Sequence, residues 1–255
     1  MNSLAKAEIL FESLRDDTPR GDLVTVAVSL YNYERFLRQC LDSVAAQKHS
    51  DLDIIIVDDH SLADASIECA GAWLAANASR FGRASLLRHL ENQGLAQARN
   101  TAFQYARSDS VFVMDADNEI YPRAIARLVA ALRETACQAA YTQLEFFGSE
   151  EGLGYADVWR PESFRQGNYV DAMALVAKAA WADVHGYTHI EGGWEDYDFW
   201  CKLVERNHAA TYVPEILCRY RVHQNSMLRT ETVKAARGLC VEMMLRHPWL
   251  RLKSE

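Results

Sequence analysis

The chain contains no C-x-x-C pair. Its six cysteines, Cys40, Cys69, Cys137, Cys201, Cys218 and Cys240, are scattered, so neither a zinc site nor a disulfide framework is signalled, and reduced, buried thiols are the economical reading. Positive charge is also short: 27 lysines and arginines against 35 acids give a net charge of −8, the wrong sign for gripping the phosphate backbone of nucleic acid. An acidic protein that handles phosphates does so through a metal and a few placed arginines. No apolar run approaches the length needed to span a bilayer, and Lys6 and Glu8 interrupt the stretch where a secretory signal would lie. The expected address is therefore cytoplasmic, and peripheral association at the inner face of a membrane is compatible with it. There is no tandem repeat and no low-complexity tract. His185 and His189 have the i, i+4 spacing of a metal pair, but no acid lies between them and Gly186 weakens the helix such a pair needs, so they read as loop residues.

What is present is a core-former's composition. With 255 residues, 49% of them hydrophobic and 24% charged, the chain fits one large α/β domain or one domain with an appendage. Leu4, Ala7, Phe11 and Leu14 sit at helical spacing, which predicts a short N-terminal helical extension within residues 1–22, before Pro19 and Gly21 interrupt it. From Leu23 the pattern alternates. Strands are expected at 23–30, 54–57, 85–90 and 111–115, with helices at 34–46, from 64, and at 95–106. Strand and helix in alternation imply parallel pairing through right-handed crossovers, hence a doubly wound sheet. After a helix over 122–135 the rhythm changes: a strand at 139–147, a turn at 148–154, a helix at 171–181, a loop at 186–193, a helix at 196–206, a strand at 210–220 and a closing helix at 231–246. Residues 23–121 read as a nucleotide-binding half, 122–229 as an acceptor half, and 230–255 as a C-terminal helix.

The most informative stretch is Val111 to Pro122, VFVMDADNEIYP. A buried strand ends in two aspartates one residue apart, at the kind of edge where open α/β sheets bind ligands. Alternate residues of a strand point the same way, so Asp115 and Asp117 can aim at one point, where a cation relieves their repulsion. Magnesium or manganese held by one or two carboxylates takes its remaining oxygens from elsewhere, commonly from a substrate diphosphate. Capping of the next helix by Asp117 or Asn118 accounts for the same residues. Other strand ends carry polar groups as well: Ser29-Leu30-Tyr31-Asn32, and Asp58-Asp59 with Ser61 as a helix cap. Gly94 frees the backbone at a helix start that can face an anion, and Arg99 is placed to meet diphosphate charge; a plain surface arginine is the alternative. In Gly192-Gly193-Trp194-Glu195-Asp196-Tyr197-Asp198-Phe199-Trp200, glycines precede an aromatic and an acid-rich helix start. Helix-dipole complementarity explains such acids, and so does the carboxylate base that a hydroxyl acceptor requires. Trp200 belongs to the helix's apolar face; Trp194 does not.

Taken in order, V-S-L-Y-N-Y, V-D-D-H-S, N-Q-G-L-A-Q-A-R-N, M-D-A-D-N with its following proline, and G-G-W-E-D-Y-D-F-W resemble the family 2 glycosyltransferases of the GT-A fold over about residues 24–229. The resemblance implies a Rossmann-like, mostly parallel central sheet flanked by helices, with a smaller acceptor-side region. It implies a nucleotide-sugar donor, UDP-linked in the first instance, and a divalent cofactor, Mn2+ or Mg2+. It places Ser29 and Asp59 at the donor nucleotide, Asp59 at a uracil-like edge, and Asp115 in support of the ribose or metal region; Tyr31, Asn32 and Arg99 join the donor nucleotide side by their own places at the strand and helix ends. Asp117 falls at the metal, His223 at a histidine that joins the metal in some members, Asp196 at the catalytic base, and Trp194 and Glu195 at the acceptor. His60 stands where glycine is common, and no Q-x-x-R-W follows the Glu-Asp pair, which argues against a processive synthase.

The implied reaction is inverting transfer to a hydroxyl of a carbohydrate or lipid-linked acceptor, in surface-glycan or glycoconjugate synthesis. Two rivals remain. A sugar nucleotidyltransferase would need a glycine-rich, lysine-containing phosphate loop where Ser29–Tyr33 stands. A non-catalytic nucleotide-sugar-binding homologue would have no need of Asp117 and Glu195-Asp196.

Overall fold

The computed structural model describes residues 7–15, 21–224 and 232–252. One mixed sheet runs through it. Its centre is β2 (Val24–Leu30), β3 (Leu52–Asp58), β4 (Arg83–His89) and β5 (Ser110–Asp115), paired in parallel in the order β4-β3-β2-β5. Helices α1 (Glu34–Ala45), α2 (Ser66–Asn77) and α3 (Leu95–Tyr105) make the crossovers, as the alternation of patterns predicts. Beyond β5 the sheet continues through β9 (Ala174–Ala177) to β7 (Ala139–Gly148) and β10 (Ala210–Val222), with the two-residue β6 (Glu119–Ile120) at that edge and β8 (Gly152–Leu153) against β7. The β7/β10 pair is parallel, whereas β9 runs antiparallel to both β5 and β7.

The strands alternate between two cores because successive side chains point to opposite faces. Val24, Val26, Val28 and Leu30 of β2, with Ile54 and Ile56 of β3, pack with Leu37, Leu41 and Val44 of α1 and with Trp73 and Leu74 of α2. Helix α4 (Ala124–Glu134) adds Ile125 and Leu128 to that side. Ala27, Ile55 and Val57 face the other way, toward Ala98, Ala102 and Phe103 of α3, toward α6 (Glu195–Glu205), and toward Leu239 and Met243 of α7 (Val233–Arg246). Because both faces are covered, β2 and β3 are fully buried runs, and each buried Ile, Leu or Val contributes roughly 1.5–3 kcal/mol. Trp200 is wholly buried, as its place on α6 predicts. All six cysteines are free thiols.

Two segments depart from expectation. Ala7–Leu14 is a strand, β1, antiparallel to β4 at the sheet edge, and not a helix. The register shifts between Ile9 and Phe11, so Ile9, Leu10 and Phe11 follow one another without alternation and imitate a helical stripe. Residues 171–181 are not one helix either: the strand β9 comes first, and α5 (Lys178–Asp183) follows. The closing helix begins at Val233; Glu231 lies outside the described residues.

Candidate active site

The C-terminal edges of β2, β3 and β5 lie in register, which brings the expected donor side together. Ser29 stands opposite Asp115 on one side and Val57 on the other, and Leu30 stands opposite Asp58. The Asp59 amide donates to the Leu30 carbonyl at 2.8 Å, folding the chain past β3 back toward the end of β2. Tyr31 is exposed on 48% of its surface and is free to meet a flat ring. Asn32 lies in the left-handed region, φ 55°, and its Oδ1 accepts from the amides of Leu62 and Ala63 at 3.1 and 3.0 Å, so that oxygen clamps the neighbouring loop. Ser61 caps no helix, since α2 begins at Ser66; its Oγ accepts from the Asn32 amide at 2.9 Å, and its own amide donates to Asp58.

Asp59 is 3% exposed, and the anion that Gly94 faces is Asp59 itself. The amides of Gln93 and Gly94, ahead of α3, donate to Oδ1 at 2.9 Å and to Oδ2 at 2.8 Å. Gly94 adopts φ 85°, and a Cβ there would meet His189 Nδ1 at 2.8 Å, so only glycine fits.

Arg99 is no surface residue. It is 3% exposed, its Nη2 donates to both oxygens of Asp115 at 3.0 and 3.1 Å, and its guanidinium lies 5.4 Å from the Tyr187 ring centre. Burial alone would lower its pKa; Asp115, with Tyr187, Asp196 and Glu195, reverses that and holds it above the ordinary value. Arg99 Nε and the Tyr187 hydroxyl are buried polar atoms with no hydrogen-bond partner. Each can donate a hydrogen bond to a bound acceptor.

Asp117 and His223, far apart in sequence, meet: His223 Nε2 lies 3.0 Å from Asp117 Oδ2. Arg221 fastens them. Its Nε donates to the Asp117 carbonyl at 2.8 Å and its amide to Asn118 Oδ1 at 2.9 Å, tying the end of β10 to the turn after β5. The His223 ring packs against Phe36 and Tyr33, with centroids 5.0 and 5.7 Å away. Burial raises the Asp117 carboxyl, and the bond to His223 draws it part of the way back. Among the described residues no three His, Cys, Asp or Glu side chains form a ready-made metal cluster. A carboxylate and an imidazole side by side do fit a divalent ion whose other ligands come from a diphosphate and water. Asn225 and Ser226, which follow soon after His223, lie outside the described residues.

The third component is the start of α6. Gly192, Gly193 and Trp194 all have positive φ, 90°, 113° and 68°. A left-handed tryptophan at the helix boundary is strained backbone of the kind that gathers at ligand sites. Trp194 is half-buried against Tyr197. Glu195, the other expected acceptor contact, is 3% exposed. Asp196 is half-buried; it accepts from Asn168 Nδ2 and from the Tyr197 amide, each at 2.8 Å. Burial raises its pKa, and Arg99 opposes the shift.

Asp171 joins these acids without having been foreseen. It precedes β9, in a turn where its Oδ1 accepts from the Met173 amide at 2.8 Å. Burial pushes its carboxyl up to about 7, with Asp196 and Asp115 adding to the rise. A folded value above the ordinary 3.9 means that the native state holds the proton more tightly. Its contribution to stability is full below about pH 4 and is lost as pH rises through about 7. Urea titrations should therefore find wild type and Asp171→Asn alike in acid and the variant more stable at pH 8; equal stability at both ends would show Asp171 to be ordinary.

Two cavities open among the described residues near these elements. One of about 580 Å³ lies between His189–Glu191 and α7, beside the loop leading to Trp194. Another, of about 340 Å³, is lined by Phe36, Arg221 and His223 on the metal-pair side.

The glycosyl transferase family 2 model matches residues 25–174. The chain is 32% identical over 134 residues to glycosyltransferase GlyA of Streptococcus pneumoniae, covering 52% of this chain and 18% of that protein. It is 28% identical over 207 residues to the O-antigen biosynthesis protein RfbC of Myxococcus xanthus, covering 79% of this chain and 16% of the other. The chain thus spans less than a fifth of the length of these two relatives. Among solved structures, S. aureus TarS in complex with UDP-GlcNAc superposes with a TM-score of 0.70 at 15% identity, over 87% of this chain and 66% of that one. The mannosyltransferase PcManGT of Pyrobaculum calidifontis, in complex with GDP-Man and Mn2+, gives 0.63 at 21% identity, over 91% and 64%. These likenesses establish a GT-A fold. With its family model matching more than half of the chain, from β2 to the start of β9, this chain belongs to glycosyl transferase family 2.

Proposed function

We propose that the chain is an inverting glycosyltransferase that moves a sugar from a nucleoside-diphosphate donor, UDP-linked, to a hydroxyl acceptor in surface-glycan or glycoconjugate synthesis. One observation carries the reading: the buried Arg99 is hydrogen-bonded to Asp115, two residues from the Asp117–His223 pair, and Asp196 at the start of α6 also acts on that guanidinium, so the D-x-D and the α6 acid share one cation. The orphaned Arg99 Nε and Tyr187 hydroxyl lie in that same cluster. UDP-GlcNAc on TarS and GDP-Man with Mn2+ on PcManGT support a nucleotide-sugar donor and a divalent ion. The name of RfbC supports a surface glycan as the destination.

In this reading Ser29, Tyr31, Asn32 and Asp59 hold the nucleoside. Asp117 and His223 would hold Mn2+ or Mg2+, which when bound offsets charge on the leaving diphosphate. Arg99 holds Asp115 in place through its two contacts from Nη2. Asp196, its carboxylate oriented by Asn168 and the Tyr197 amide, accepts the acceptor's hydroxyl proton as the new bond forms. A value raised by burial makes it a stronger base than an exposed aspartate. Trp194 lines the acceptor side. Among the described residues no helix is long and apolar enough to cross a membrane, so a lipid-linked acceptor would be met at a membrane surface.

A thermal-shift panel of UDP, GDP and their sugars, with and without Mn2+, tests donor and metal together. A midpoint rise of several degrees with a uridine donor plus Mn2+, and donor hydrolysis in the same mixture, is the expected result. Nucleotide binding with no hydrolysis or transfer would favour a non-catalytic homologue. Metal-independent binding would remove Asp117 and His223 from their proposed role.

A further inference from the structure

Asp59 is held from behind by a residue that the proposed chemistry does not use. His89, the last residue of β4, is wholly buried; its Nδ1 lies 2.6 Å from Asp59 Oδ1 and its Nε2 lies 2.9 Å from Thr101 Oγ1. An ionised carboxylate only accepts, so Nδ1 carries a hydrogen and donates to Asp59. Thr101, on α3 and 2% exposed, fixes the far side of the ring, so the imidazole bridges β4, α3 and the end of β3.

The acceptor count on Asp59 then becomes restrictive. A carboxylate offers about four acceptor directions, two on each oxygen. Oδ1 takes the His89 ring and the Gln93 amide, and Oδ2 takes the Gly94 amide. One direction remains, on Oδ2. A guanine edge presents a ring N–H and an amino N–H side by side and needs both oxygens of a carboxylate. A uracil or thymine edge presents a single ring N–H between two carbonyls and needs one.

We propose that His89 is a positioning residue for base selection: by occupying Asp59 Oδ1 it leaves a single acceptor and sets the site for a pyrimidine imide edge against guanine. This rests on the reading of Asp59 as the base contact. It adds to that reading the residue that enforces the preference and the reason for it.

Titration calorimetry of the whole chain with UDP and with GDP, each with Mn2+, tests the proposal. Wild type should bind UDP at least tenfold more tightly. His89→Leu, which removes the donor and opens Oδ1, should weaken UDP on the order of tenfold and narrow the UDP-to-GDP ratio, tenfold being about 1.4 kcal/mol. His89→Asn, whose amide can still donate to Oδ1, should keep most of the ratio. Thr101→Val, which loosens the ring without removing it, should narrow the ratio less than His89→Leu does, and it serves where the leucine variant does not fold. A purely structural role would lower stability and leave the ratio unchanged, which would overturn the proposal. Equal or tighter GDP binding by wild type would also overturn it while sparing the nucleotide-sugar reading. Binding of neither nucleotide would sink both.

Discussion

Asp196→Asn is expected to lower turnover by about 10²–10⁴-fold while leaving nucleotide affinity nearly unchanged. The substitution keeps the volume and removes the proton acceptor. Asp196 receives Asn168 Nδ2 on Oδ2 and the Tyr197 amide on Oδ1, and an asparagine has one oxygen for these two donors, so one contact is also lost. That local loss is small beside the loss of a base at the reacting hydroxyl. The pH profile separates the two effects. Burial raises the Asp196 carboxyl, so wild-type turnover should fall in acid along a limb centred above the ordinary aspartate value of about 3.9. The variant should have low turnover without that limb. Near-normal turnover by Asp196→Asn, or an unchanged acid limb, would assign the base elsewhere, with Asp171 the next acid to examine.

The first half of the sheet is legible in sequence because its strands are buried on both faces and its helices carry clear apolar stripes. Phe36, Leu37, Cys40, Leu41 and Val44 of α1 show the pattern plainly. Legibility fails where local pattern and tertiary context disagree. The shift near Ile9 breaks alternation in β1, and an edge strand has no second neighbouring strand to enforce it. In β9 the run Ala174-Leu175-Val176-Ala177 is rich in helix formers, and pairing with β5 on one side and β7 on the other overrides them.

Site residues follow the same division. Ser29, Asp59, Asp115 and Asp117 stand at strand ends, and a strand end is a place that sequence can mark. His223 is legible only through a resemblance, because what brings it to Asp117 is the ladder of β10 and the reach of Arg221 across 104 residues. Asp171, Asn168 and His89 carry no motif. Asp171 is placed by the turn ahead of β9, Asn168 by a loop closing on α6, and His89 by an inward-facing position at the end of β4. A buried histidine two residues before Glu91-Asn92 was the only available signal, and it reads as core until Asp59 is seen beside it. Arg99 was legible as a charge near a diphosphate but not as a buried counter-ion, because nothing in one helix's sequence tells which strand end lies beneath it.

Arg99→Met is expected to destabilise the fold by about 3–5 kcal/mol, at the lower end because the Asp115 side chain is 26% exposed and partly reachable by water. Methionine keeps the apolar stem against Tyr187 and deletes the charge. Asp115 then loses both contacts to Nη2, and Asp115, Asp171, Glu195 and Asp196 are left near one another with their shared cation gone. The Asp171, Glu195 and Asp196 carboxyls, already raised by burial, should rise further, so the loss should be greatest at alkaline pH and smallest in acid. For the same reason the acid limb of any residual activity should move to higher pH. The double variant Arg99→Met with Asp115→Asn should recover much of the stability, since removing both members of a buried pair costs far less than orphaning one. It should not recover turnover, because Arg99 Nε is one of the two orphaned donors in the cluster. Chemical denaturation of the single and double variants at pH 5 and pH 8 measures all of this. A single variant as stable as wild type at both values would mean that Arg99 is a ligand contact only, and that the acids at the sheet edge balance their charge without it.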